Sequence, residues 1–147
     1  MGNIVKSITV AVPVERAFGY VTDWHNVSKY QEEYHEYRPV SQRTTGDGAR
    51  FAYKVLSGRG ELDVEAQYSE YRENAGLVIT ALRGPRIIER WTFAADAPGT
   101  CKITYAVEYP LPANAAGGVM GLFMLKGAWS DKVKKVLRKL KELLEKA

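Results

Sequence analysis

Between Ile8 and Asn26 the chain passes from one periodicity to another with a single proline at the joint. Ile4, Ile8, Val10 and Val12 alternate with polar positions, so residues 3–12 read as a strand. Pro13 fixes φ at a value suited to the first position of a helix. Val14, Ala17, Phe18 and Val21 then recur at i, i+3, i+4 and i+7, one buried stripe. A strand thus runs straight into an amphipathic helix, and Asp23 or Asn26 is placed to cap a second short helix through Lys29 to Gln31. Any architecture for this chain must accommodate two small helices directly after its first strand.

The middle of the chain reads as antiparallel strands. Residues 38–45 end at Thr45-Gly46-Asp47-Gly48 and residues 49–56 end at Ser57-Gly58-Arg59-Gly60, both hairpin signals. The cleanest alternation follows: Leu62, Val64, Ala66 and Tyr68 face one way, Glu61, Asp63, Glu65 and Gln67 the other. Residues 77–82, 86–94 and 100–109 complete about seven strands, separated by Arg83-Gly84-Pro85 and Asp96-Ala97-Pro98-Gly99. Beyond Pro110 and Pro112, residues 115–146 contain no proline. They place Leu122, Trp129, Val133, Val136, Leu137, Leu140 and Leu144 at helical spacing, one long amphipathic helix. The sum is an α+β arrangement with the helices on one face of a curved sheet.

At 147 residues the chain is expected to form one domain over 1–147. No charged, then apolar, then small-residue leader follows Met1, and the expected location is cytoplasmic. The lone Cys101 has no partner for a disulfide or a zinc site and reads as a small buried strand residue. The formal charge of +4 is unevenly spread: residues 126–147 hold eight cations against three carboxylates, and the remainder is nearly neutral. Nucleic-acid binding by a uniformly basic domain is therefore not expected. The ordinary reading of the basic segment is a solvated helix face with cations near the helix's negative end.

In this order the residues resemble the SRPBCC or START-like helix-grip superfamily, and within it the polyketide cyclase/dehydrase and coenzyme-Q-binding-like group. The carriers are Pro13-Val14-Glu15-Arg16-Ala17-Phe18 with Asp23 and Asn26, then Gly48-Ala49-Arg50-Phe51, Trp91-Thr92-Phe93 and Gly99-Thr100-Cys101-Lys102-Ile103-Thr104. Cys101 stands where relatives often have a second Thr, and Tyr30 where they often have Trp. The resemblance implies a helix-grip fold with a hydrophobic pocket between the sheet and the long helix. Across the superfamily such pockets take lipids, sterols, quinones, plant hormones or polyketide intermediates.

Strand alternation supplies the inward-facing set: Phe51, Tyr53 and Val55; Leu62, Val64, Ala66 and Tyr68; Trp91 and Phe93; Ile103, Tyr105 and Val107. Each apolar member is equally read as core packing. The phenols of Tyr53, Tyr68 and Tyr105 are the preferred polar contacts, because a buried hydroxyl must find a partner. Met120, Phe123, Met124 and Gly127 are placed to close the pocket from the helix, in a glycine-rich apolar stretch too short to cross a bilayer. With the basic segment behind it, that stretch also suits transient membrane contact.

For catalysis the candidates are few. No phosphate loop, His-Glu-x-x-His or paired cysteines occur, so neither a metal nor a cofactor is expected. His25 and His35 are candidate general bases if either reaches the pocket, but both read first as surface residues. Glu89 is sharper: it shares the face of Trp91 and Phe93, where desolvation would raise its pKa. The competing reading puts Glu89 at the sheet rim, paired with Arg86 or Arg50. Three functions follow: binding of a hydrophobic small molecule such as a lipid, quinone or polyketide; cyclase/dehydrase (aromatase) catalysis through Glu89 or a histidine such as His25; and a protein or RNA partner module using Lys134, Lys135, Arg138 and Lys139.

Overall fold

The structure, a computed structural model, describes residues 1–57, 60–111 and 118–146, apart from the side chains of Ser57, Val119, Met120 and Phe123. Strand β1 (Gly2–Val10) leads into α1 (Val14–Thr22), a 3-10 turn at Trp24–Asn26 and α2 (Val27–Tyr30). Strands β2 (Tyr34–Pro39), β3 (Arg50–Ser57), β4 (Gly60–Arg72), β5 (Gly76–Arg83), β6 (Ile88–Ala95) and β7 (Cys101–Tyr109) follow, and α3 (Gly118–Glu145) completes the chain. The seven strands form one antiparallel sheet in the order β1-β7-β6-β5-β4-β3-β2, so the first strand pairs with the last. This is the helix-grip α+β architecture.

Local chemistry sets the element ends. Pro13 lies one position earlier than the sequence suggests, at the cap of α1, with φ −66° and ψ 155°. Its carbonyl accepts from Arg16 N and Ala17 N at 3.1 and 3.2 Å. Asp23 caps the 3-10 turn by accepting from His25 N. The second strand begins at Tyr34 rather than at residue 38, and it ends at Pro39. Glu36 at φ 53° sits in a bulge between His35 and Arg38, and beyond Pro39 the Ser41 hydroxyl accepts from Arg50 N, closing a loop where continued strand was expected. The 57–60 turn falls partly, and the expected helix start at 115 wholly, outside the described residues. A second bulge, at Glu70 with φ 47°, interrupts the β4–β5 register between Ser69 and Arg72. Such bulges bend their strands, and the sheet needs that curvature to wrap a helix.

The inner sheet face and one stripe of α3 make the core. Along β7, Cys101, Ile103, Tyr105, Val107 and Tyr109 are all buried while Lys102 between them is exposed. Val133, Val136, Leu137, Leu140 and Leu144 form the buried stripe of α3. Its C-terminal end is pinned to the start of the fold: Lys141 Nζ donates to Thr9 O, and Glu145 Oε2 accepts from Ala11 N, both at 2.8 Å. Nearer the middle of α3 the Trp129 ring stacks on Tyr109, centroids 5.1 Å apart.

Two expected inward positions differ. Leu62 keeps the inward parity but is 44% exposed, because it lies near the β3–β4 tip where no described residue covers it. Met124 is 67% exposed. It precedes Val133 by about two and a half turns and so projects from the opposite side of α3. Leu140→Ala is expected to lower stability by about 2–5 kcal/mol, and Met124→Ala by less than about 0.5 kcal/mol, measured by urea unfolding.

Candidate functional site

Antiparallel register carries a carboxyl group into the middle of the apolar face. Glu89, on β6, lies between Ile79 of β5 and Val107 of β7 and shares the side of Trp91 and Phe93. It is 3% exposed. Arg90 points outward and meets Glu70 at 3.5 Å, and neither Arg86 nor Arg50 is among the hydrogen-bond partners of Glu89.

Three donors from separate parts of the chain converge on one oxygen. Glu89 Oε1 accepts from the Tyr105 hydroxyl of β7 in a short contact, from the Tyr34 hydroxyl of β2 at 3.1 Å, and from Gln31 Nε2 at 3.2 Å. Gln31 Nε2 also donates to the Tyr105 oxygen at 2.8 Å, closing a ring of polar groups. All four of these bonds end on Glu89 Oε1 or on the Tyr105 oxygen.

Burial pushes the Glu89 carboxyl above the usual carboxylate range. The hydrogen bonds from Tyr105 and Tyr34, the charge of Lys132 and the bond from Gln31 pull the other way without cancelling it. The surrounding phenols move in the same direction. Burial first, then the nearby Glu89 charge, holds Tyr34 and Tyr105 well above their ordinary value, and burial likewise raises Tyr53 and Tyr68. These hydroxyls remain protonated donors throughout the working range of a protein.

The expected contacts fall into three groups. Tyr53, Tyr68 and Trp91 line a small cavity together with Glu89, Gln31 and Tyr34. Tyr105 stacks on Trp91 with centroids 4.0 Å apart, Phe51 packs behind Tyr68 and Tyr37, and Val64 is buried on β4 opposite Tyr53. The helical residues do not join them. Met124 faces away, and the side chains of Met120 and Phe123 lie outside the described residues. The cavity measures about 10 Å³, space for one water. Stacked rings occupy the rest, including Tyr34 on Tyr53 at 4.4 Å.

His25 is not brought to Glu89. Its side chain is 66% exposed, with Nδ1 2.8 Å from Asp23 Oδ1 and its ring stacked on Trp24, because the Asp23 cap draws it along the surface. That bond holds the Asp23 carboxyl below its usual value. His35 lies 3.5 Å from Glu61, also at the surface. Cys101 is buried at the start of β7. Among the described residues no three His, Cys, Asp or Glu gather as a metal site, and no helix is long and apolar enough to cross a membrane. Of the basic-helix candidates, Lys135 pairs with Glu32 and Lys139 with Glu142, while Lys134 and Arg138 are exposed.

Sequence reasoning missed Gln31, Tyr34 and Lys132. Tyr34 and Tyr37 are three residues apart, and the Glu36 bulge between them breaks the two-residue period that would have marked β2. The density of Tyr30, Gln31, Tyr34 and Tyr37 was the available signal. Lys132 Nζ sits 2.9 Å from Glu33 and above the Trp129 ring at 4.7 Å.

In the unfolded chain Glu89 titrates near its ordinary 4.5, and in the folded chain higher. Its contribution to stability is complete below the unfolded value and is lost as pH rises through the folded one. Glu89→Gln removes that component, so its stability is expected to fall less steeply than wild type as pH rises above about 4.5. Urea midpoints across that range provide the check.

Comparison with known proteins finds the same fold at low sequence identity. TTHA0849 from Thermus thermophilus superposes with a TM-score of 0.80 at 15% identity, covering 97% of each chain. A START superfamily protein from Mycobacterium smegmatis gives 0.78 at 14% identity, again with 97% of each chain covered. The Zhui aromatase/cyclase from a Streptomyces species gives 0.79 at 10% identity, covering 98% of this chain and 93% of its own. No protein of curated function matches the sequence. The family model for polyketide cyclase / dehydrase and lipid transport matches residues 1–145, and this chain belongs to that family.

Proposed function

We propose that this chain binds a hydrophobic small molecule on the inner sheet face and holds the ligand's polar end at Glu89. The buried carboxyl carries the reading. Placing an ionisable group in an apolar interior costs stability, and an apolar residue of similar volume would be neutral or better there. A site that must orient a polar group inside a dry pocket has a use for it. The Glu89 carboxyl, which lines the cavity shared with Tyr53 and Tyr68, is the natural contact, with Tyr34, Tyr105 and Gln31 holding it in place. Family membership supports a ligand of lipid or polyketide type.

A ligand pocket commonly spans at least about 300 Å³, so occupancy requires the aromatic stacks to part or α3 to shift.

The raised proton affinity of Glu89 also favours a second reading, in which the same carboxyl gives and takes a proton during cyclisation or dehydration of a polyketide-like substrate. The similar Zhui protein is described as an aromatase/cyclase.

Native mass spectrometry of the purified protein, with organic extraction of what travels with it, is expected to reveal a stoichiometric apolar molecule. Absence of any such molecule, together with no thermal shift across a panel of lipids, quinones and polyketides, would overturn the proposal. With the ligand in hand, Glu89→Gln is expected to weaken binding about tenfold, the worth of one buried hydrogen bond. The catalytic reading instead requires turnover to fall at least about a hundredfold with binding nearly unchanged.

A further inference from the structure

The cavity beside Glu89 and a cleft on the surface share a wall. The cleft, about 30 Å³, lies between the α2–β2 turn and α3, where Lys132, Lys135 and Val136 face Glu32 and Glu33. Tyr30 and Gln31 line both the cleft and the inner cavity. Of these two, Tyr30 is fixed independently: its hydroxyl donates to Val21 O at 2.8 Å and its ring meets Trp91 edge-on. Among the described residues the Gln31 side chain is anchored by its hydrogen bonds across the wall. On the inside its Nε2 donates to Glu89 and Tyr105, and on the outside the residues that follow it are clasped to α3 by Glu33 to Lys132 at 2.9 Å and Glu32 to Lys135 at 3.5 Å.

We infer that the passage to Glu89 runs through this cleft, with the Gln31 side chain as its partition and the paired charges Glu32–Lys135 and Glu33–Lys132 as the clasp that keeps it shut. The purpose of such a passage rests on the ligand-binding reading above; its existence does not. Ion pairs with exposed members are individually weak and screened by salt. A clasp built from two of them opens often and recloses, which suits a passage better than a permanent seal. The same motion withdraws a hydrogen-bond donor from Glu89, so entry and the state of the carboxyl are linked through one side chain.

Exchange of the Gln31 side-chain amide protons with water, followed by NMR of nitrogen-15-labelled protein, tests this without knowledge of the ligand. Glu32→Gln/Glu33→Gln is expected to accelerate that exchange about tenfold, because both pairs are lost together. Lys135→Glu is expected to accelerate it, and adding Glu32→Lys to reverse the pair should restore slow exchange. The backbone amides of Trp91 and Tyr105 report global opening and are expected to keep their wild-type rates. Unchanged Gln31 exchange in the double variant would overturn the inference, as would equal acceleration at Trp91 and Tyr105. Loss of ligand binding in Glu89→Gln bears on the proposed function alone, so the two readings fail separately.

Discussion

A carboxyl group occupies the centre of an apolar sheet face only if its environment brings donors to it, and here the donors come from three places in the chain. Tyr105 reaches Glu89 from the adjacent strand β7, Tyr34 from the edge strand β2, and Gln31 from the turn after α2. The edge strand and the small helices are thereby tied to the middle of the sheet across its hollow side. Without curvature Tyr34 would lie several strands away from Glu89, since β5, β4 and β3 separate β6 from β2 in the sheet order. The polar ring and the bent sheet are therefore one feature seen twice. Bulges at Glu36 and Glu70 favour the bend, and Glu89 gives edge strand β2 and the middle of the sheet a common polar partner.

Much of this was legible in the chain. The two-residue period of Leu62 to Tyr68, the spacing of Trp91 and Phe93 from Glu89, and the apolar stripe from Val133 to Leu144 are local patterns, and each appears in the structure with its face as read, Leu62 alone left partly uncovered. Periodicity records which way a side chain points with respect to its own element. It does not record how far an adjacent element extends, which is why Leu62 and Met124 share apolar character with the core and yet meet solvent.

The remaining partners of Glu89 were not legible for a related reason. Gln31 acts from the C-cap of a four-residue helix, at φ −103° and ψ 76°, and no repeating pattern describes such a position. Tyr34 precedes a bulge that reverses the alternation on which its inward direction depends. Lys132 belongs by charge to a basic helix face, yet its ammonium is drawn over Trp129 and against Glu33 by residues distant in sequence. The excess of positive charge in the terminal helix thus describes its composition better than its surface, since several of those lysines face carboxylates of the same protein.

The pairing of β1 with β7 has a consequence for how the chain acquires its structure. Gly2 opposes Tyr109 and Val10 opposes Cys101, and the end of the same strand and the residue beyond it are held by Lys141 and Glu145. Strand β1 therefore has no partner strand beside it until the chain through β7 has been synthesised. Contacts of such long sequence separation form late and slowly. An unpaired β1 with its inward apolar residues waits uncovered until β7 emerges, and during that wait it is open to association with other chains.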